Sequence, residues 1–385
     1  MKTIDYIKKA IGDMFRIWHD ELKQVFSDVG VIIFFLIVPL AYPVIYGLIY
    51  TTETIREVPM VVVDDSHSSL ARAFVRKVDG TPDALIYSYV TNIDEAKALV
   101  DSKKAYGVLY FPADFSQKIN RGEQSTVSLF LDMSGLLYYK ALLLAVTEVS
   151  MDMGATINPT RIDTGAPINY ESVSLYNPQN GFASFLVPGI VVLAIQQTLL
   201  LGIGMLAATT REKNPSGRLI PPHSSYRGTL RIVLGKALCY FAIYIFVSIW
   251  ALEIVPRIFN LPQIGSTGTL LLFKLPYLLA CIFLSMMVST FIRGRETPMM
   301  ILVFTSLPLL FLSGISWPLA SIPDFWKYIS YIFPSSFGIQ GYVKLNSMSA
   351  GLSEIAFEYQ ALWIQTGIYF IITYLIYRKE SIRKD

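Results

Sequence analysis

Cysteine, histidine and charge are all scarce in this chain. The two cysteines, Cys239 and Cys281, both sit inside apolar runs, so the polar part of the chain has no disulfide framework and cysteine usage does not report the compartment. Three scattered histidines, His19, His67 and His223, give no basis for a histidine-ligated metal site. Charged residues make up 16% of the 385, against about a quarter in a soluble domain. A net charge of +3 lends no support to a nucleic-acid partner. A phosphate-binding loop is missing too. The nearest approach is Gly228…Gly235-Lys236, whose glycines are separated by six residues instead of four. Ala237 stands where Ser or Thr would hold magnesium, and the stretch runs into an apolar segment. No ATPase and no catalytic Ser, His and Asp grouping are expected in this chain.

Apolar residues are plentiful, at 53% with a mean hydropathy of +0.47, and they are clustered in runs long enough to cross about 30 Å of hydrocarbon. The first run is Val29–Tyr50, interrupted by Pro39 and Pro43. The others are Phe182–Ala208, Ile232–Trp250, Leu275–Phe291, Met299–Ile315 and the short Leu362–Tyr377. The short loops set the orientation. Sixteen lysines and arginines fall in the N-terminal segment, the loops after spans two and four, and the tail, against three (Arg257, Lys327, Lys344) in the opposite loops. The positive-inside rule then puts both termini in the cytoplasm and requires an even number of spans. Residues 1–28 place Ile4, Ile7, Ile11, Phe15, Trp18, Leu22 and Val25 three or four apart. This is the period of a helix with one apolar face. It is read as a cytoplasmic interfacial amphipathic helix, with a partner-binding cytosolic helix as the alternative. The first apolar run follows this charged segment with no A-x-A site, so no cleavable leader is expected.

The fold class is therefore a polytopic α-helical membrane protein of about six transmembrane helices with an inserted α/β extracytoplasmic domain. Span one covers 29–50 and the inserted domain 51–181. Spans two to six cover 182–377 and the cytoplasmic tail 378–385. In the inserted domain, β-branched runs such as Val58–Val63 and Ala105–Phe111 alternate with helical spacings such as Leu70–Val78 and Ile93–Val100, the pattern of an α/β fold with some parallel pairing. Asp64-Asp65-Ser66 follows the first strand and reads as a turn or as an ion- or sugar-binding loop. Between spans five and six, the segment 316–360 is rich in aromatics and divided by Pro323 and Pro334. Aromatic rings favour the membrane interface. Trp317, Pro318, Trp326 and Pro334 are thus assigned to an outer re-entrant segment, an ordinary aromatic loop being the alternative. Lys236, Glu253 and Lys274 lie near span ends. Interface anchoring is expected for all three, with Glu253 paired to Arg257 one turn on.

Several local stretches, each weak alone, occur in a telling order. They are Val61-Val62-Val63-Asp64-Asp65, the run from Tyr106-Gly107-Val108 to Phe115-Ser116 before Gly122, Arg211-Glu212-Lys213, Leu234-Gly235-Lys236, and Phe311-Leu312-Ser313-Gly314-Ile315-Ser316-Trp317-Pro318 with Tyr331-Ile332-Phe333-Pro334. Over essentially its whole length the chain resembles a permease of the type-two family of ATP-binding-cassette exporters, in the bacterial subgroup with a large domain between the first two spans. The resemblance implies residence in the bacterial cytoplasmic membrane and a lipid-like, drug-like or otherwise hydrophobic substrate moved outward. It implies a cytoplasmic ATPase subunit that binds ATP and magnesium, since this chain holds no cofactor. A second permease half, identical or related, completes the pair, and a periplasmic adaptor is an optional further partner. It also implies coupling to the ATPase through loop 209–229, carried by Arg211, Glu212, Lys213, Arg218, Tyr226 and Arg227. The loop departs from the family where Asn214-Pro215-Ser216-Gly217 replaces a Glu-Gly-Thr-hydrophobic stretch, leaving Ser216–Ile220 and Ser224–Arg231 as alternative coupling helices. The competing reading is a membrane-anchored sensor or assembly protein working through its outer domain; a gated channel is a third.

Overall fold

The computed structural model describes residues 2–50, 54–157, 181–214, 219–220 and 228–382. The chain divides into two compact units, residues 1–53 with 174–385 and residues 54–173.

The first unit is helical. Helix α1 (Lys2–Ser27) ends at Asp28, whose extended backbone (φ −110°, ψ 110°) separates it from α2. The Asp28 carboxylate accepts from the Gly30 and Val31 amides and so caps α2, as a short acceptor before an apolar run does. Helix α2 spans Val29–Ile49 and widens into a π turn over Ile33–Ile37. That turn contains Phe35, whose carbonyl Pro39 cannot bond and would crowd in a regular helix.

After the helices of the other unit, α7 (Phe182–Lys213) runs through the middle of the bundle with almost every side chain from Val191 to Thr210 buried. Its 32 residues extend about 48 Å, well beyond about 30 Å of hydrocarbon. Helix α8 (Thr229–Ile258) has its own π turn at Trp250–Ile254, one turn before Pro256. The Leu252 carbonyl, which Pro256 cannot bond, accepts instead from Gln263 Nε2 at 2.8 Å and the Tyr342 hydroxyl at 2.7 Å. Helices α9 (Thr267–Ser289), α10 (Thr297–Leu312), α11 (Asp324–Ser330), α12 (Pro334–Met348) and α13 (Ala356–Ile382) complete the bundle. The Thr366 and Thr373 hydroxyls of α13 reach the Pro276 and Phe283 carbonyls of α9, both at 3.2 Å. Among the described residues, α2, α7, α8 and α9 are long and apolar enough to cross a membrane, and α10 is a shorter apolar helix of 16 residues.

The second unit holds a four-stranded sheet in the order β2-β1-β3-β4, formed by β1 (Val58–Asp64), β2 (Ala84–Val90), β3 (Gly107–Phe111) and β4 (Ser128–Leu131). The first three strands are mutually parallel and β4 is antiparallel to β3. Helices α3 (Ser69–Asp79), α4 (Ile93–Asp101), α5 (Phe115–Asn120) and α6 (Leu136–Ile157) connect and cover them. Central β1 is buried on both faces, as parallel strands are. Met60 and Val62 meet Phe74 of α3 and Leu142 of α6 in one core, and Val61 and Val63 meet Ala96 of α4 in the other. Asp64 Oδ1 accepts from the Ser66 amide and hydroxyl and from the His67 amide, while Asp65 Oδ2 accepts from the Tyr110 hydroxyl at 3.0 Å. These bonds build the turn that ends the strand.

Candidate functional site

Helices α2, α7 and α10 enclose a groove of about 340 Å³, the size of a drug-like ligand pocket. Phe34 and Val38 of α2, Ile190, Leu193 and Leu201 of α7, and Met299, Leu302, Leu307 and Leu310 of α10 make its walls. No carboxylate or basic side chain lines it among the described residues, and its polar groups are Tyr42, Tyr46, Gln197, Thr198 and Ser306. The buried Gln197 donates through Nε2 to the Thr305 hydroxyl at 3.2 Å, and that hydroxyl donates to the Ile301 carbonyl at 2.7 Å. Its carboxamide oxygen, 3.3 Å from the same hydroxyl, adds an acceptor to a mostly apolar lining. The groove therefore suits an uncharged apolar molecule with one or two polar groups.

The same three helices meet at one end in a charged clamp. Arg295, just before α10, donates to Asp28 Oδ2 at 3.0 Å and to Glu212 Oε2 of α7 at 3.1 Å. The Thr209 hydroxyl lies 3.0 Å from the same Asp28 oxygen. Burial alone would raise the Asp28 carboxyl; the Thr209 hydroxyl, the Val31 and Gly30 amides and Arg295 together outweigh it and hold the group below its usual value. Arg211, half-buried, donates to the Thr290 carbonyl at 2.6 Å. The Leu219 amide donates to Glu380 Oε1 at 3.0 Å.

Among the residues singled out for coupling, Arg211 and Glu212 thus hold α7 to the segment between α9 and α10. Lys213 is exposed in the last turn of α7, and Arg218, Tyr226 and Arg227 lie outside the described residues. In the aromatic segment, Trp317 is exposed and donates to the Ser321 carbonyl at 3.4 Å. Pro318 leads into a 3-10 turn, Trp326 stands edge-on to Phe325 on α11, and buried Pro334 opens α12. The Gln196 side chain of α7 accepts from the Ser335 amide at 2.7 Å and so caps α12. Gln197 is legible in the sequence as one of the few polar residues inside an apolar run, and Arg295 as a cation of the basic loop after the fourth span, though neither spacing gives a partner. Asp28 carries no assignment from the sequence, and an aspartate immediately before an apolar run is its legible signal.

Three interface charges sit differently from expectation. Glu253 pairs with Lys274 of α9 at 2.5 Å, both buried, while Arg257 reaches Gln263 and Thr267. The cause is the π turn containing Glu253, which changes the helical phase and removes the alignment that a regular turn would give residues four apart. Lys236 is buried against Glu21 of α1 at 2.9 Å, and Glu21 also accepts from Tyr240. In an apolar surrounding a charge needs such a partner.

The model for the ABC-2 family transporter protein matches residues 29–375, nearly the whole bundle and the sheet unit. Two Escherichia coli K12 proteins are similar. The probable multidrug ABC transporter permease YbhR is 21% identical over 305 residues, 78% of this chain and 80% of that one. The probable multidrug ABC transporter permease YbhS is 20% identical over 329 residues, 82% and 84% of the two chains. ABC transporter G family member 20 of Dictyostelium discoideum is 21% identical over 292 residues, 74% of this chain and 38% of that longer one. With a family match of that extent, and a bundle whose apolar groove and charged clamp share three helices, the chain is a multi-pass membrane permease that belongs to the ABC-2 family of transporter proteins.

Proposed function

We propose that this permease is the membrane half of an ATP-driven exporter that moves a hydrophobic, lipid-like or drug-like substrate outward across the cytoplasmic membrane. A separate cytoplasmic ATPase subunit binds ATP and magnesium, and a second permease half, identical or related, pairs with this one. In this reading α10 and α13 are the fifth and sixth crossings, both termini are cytoplasmic, and residues 51–181 lie outside. The loop 209–229 meets the ATPase, and the segment 316–360, which contains α11 and α12, is the outer re-entrant segment.

The observation that carries the reading is the sharing of helices. Those that wall the uncharged groove, α2, α7 and α10, are the ones that Asp28, Glu212 and Arg295 tie together at the other end. A movement imposed on the loop after α7 would pass through that clamp to the groove walls. The exposed apolar flank of α10, with Met300, Val303, Phe304 and Phe311, supports a lipid or second-copy contact there.

The test uses inverted vesicles containing the permease and its co-expressed ATPase, with ATP-driven uptake of a hydrophobic fluorescent dye as readout. Ala194 lines the groove, so Ala194→Trp, which fills it, should abolish uptake while the protein still inserts. Uptake that is independent of ATP, or that the substitution leaves intact, would refute the proposal.

A further inference from the structure

Helix α1 carries three stripes. Ile17, Glu21 and Val25, four residues apart, are buried against α8. Ile11, Phe15, Trp18, Leu22 and Phe26 form a second stripe turned away from the bundle, with Ile11, Phe15 and Phe26 each about half exposed. Lys9, Arg16 and Lys23, seven residues apart and hence on one line of the helix, form a third, fully outward stripe with Lys8 and His19 at its edge.

The balance of charge on the helix depends on these stripes. Asp13 is paired with Arg231 at 2.7 Å and Glu21 with Lys236 at 2.9 Å, so two acids of α1 are neutralised by cations of α8. Lys8, Lys9, Arg16 and Lys23 enter no ion pair among the described residues, and Asp20 is the exposed acid beside them. Folding thus turns a segment of mixed charge into a helix whose free face is cationic. That face flanks an apolar stripe, and only Asp28 separates the helix from a membrane span. This is the arrangement of a helix lying in a headgroup layer, its apolar side at the acyl boundary.

We infer that the Lys9–Arg16–Lys23 stripe of α1 binds the phosphate-bearing headgroups of anionic lipids in the cytoplasmic leaflet, the two ion pairs to α8 holding the helix with that stripe outward. The inference rests on the orientation given under Proposed function and adds a lipid class to it. A basic side chain at an anionic surface contributes about a five-fold preference. Phosphatidylglycerol is the probe because it carries one negative charge and no other recognition group than its glycerol.

The full chain is reconstituted in nanodiscs of phosphatidylcholine alone or with about one-third phosphatidylglycerol, and amide hydrogen exchange is followed over residues 8–27 and over α7. Phosphatidylglycerol should slow exchange across 8–27 at least about five-fold. High salt should reverse the effect by screening. The surface variant Lys9→Gln/Arg16→Gln/Lys23→Gln should lose it, and Asp20→Asn should enlarge it. Equal exchange in both lipids for the unaltered chain, or a persisting effect in the triple variant, overturns the inference while protection of α7 upholds the membrane reading. An α7 unprotected in either bilayer overturns both.

Discussion

Lys274→Met would leave Glu253 as a lone carboxylate inside the bundle. The two side chains are 1% and 7% exposed and lie 2.5 Å apart, so little solvent screens whichever charge remains. Removing one member of a buried pair costs about 3–5 kcal/mol, most of it the penalty on the charge left behind; replacing both members is close to neutral. Lys274→Met and Glu253→Gln should each lower the thermal midpoint of the detergent-solubilised chain by about 5–10 °C, and the double variant should recover most of the loss. The coupling between the two sites, the shortfall of the double variant from the sum of the singles, should then exceed about 3 kcal/mol. A control comes from the same molecule. Lys77 and Asp152 are also 2.5 Å apart but 46% and 61% exposed, so Lys77→Met should cost less than about 1 kcal/mol. Midpoints read by loss of the monodisperse species on heating are sufficient, because the argument needs the ranking of four variants. If Lys274→Met is no worse than Lys77→Met, or the double variant falls by the sum of the singles, burial is not what gives the pair its weight.

Arg211→Ala/Glu212→Ala should release α7 from the Thr290 carbonyl and from Arg295; transport should fall while membrane insertion stays intact, and unchanged dye uptake in the vesicle assay would count against the clamp. A Cβ on Gly202 would run into the Phe35 ring, so Gly202→Val should force α2 away from α7 at a cost of about 1–3 kcal/mol, seen as a lower midpoint and altered dye uptake. Lys103 bonds to Asp132 at 2.6 Å and, with the Ser134 amide, holds that carboxyl down to about 2. The folded value lies below the unfolded one near 3.9, so the stabilisation is complete above about pH 4 and lost as pH falls through about 2. Lys103→Ala should move the Asp132 titration upward, as carboxyl NMR would show; an unmoved titration would remove Lys103 as the cause.

What the chain determines locally is legible in its sequence. The apolar run read as Val29–Tyr50 is the helix Val29–Ile49, and the β-branched run Val58–Val63 is the strand Val58–Asp64. Length, period and breaker residues depend only on neighbours in the chain, so such segments declare themselves. The stripe from Ile11 to Leu22 is likewise readable, because a period of three and four residues identifies a helix face wherever that face points. Its division into a bundle side and a free side is not readable, since Ile17 and Glu21 are chosen by α8 and not by their own neighbours.

The site depends on what helices far apart in sequence bring together. Asp28, Glu212 and Arg295 stand near three different helix ends, and Gln197 finds Thr305 across the groove. Helical periodicity gives each helix a face but says nothing of the axial register between two helices, and a one-turn slip would replace every one of these partners. The pairing of Glu253 with Lys274 instead of Arg257 follows the same reasoning at close range, since a π turn ahead of Pro256 alters the phase on which spacing arguments rest. Composition and period decided that this chain is a bundle of apolar helices carrying no ATP-binding loop of its own. Packing alone decided which charges are buried together, where the groove opens, and which three helices share it, because those outcomes depend on register between segments that the linear order does not encode.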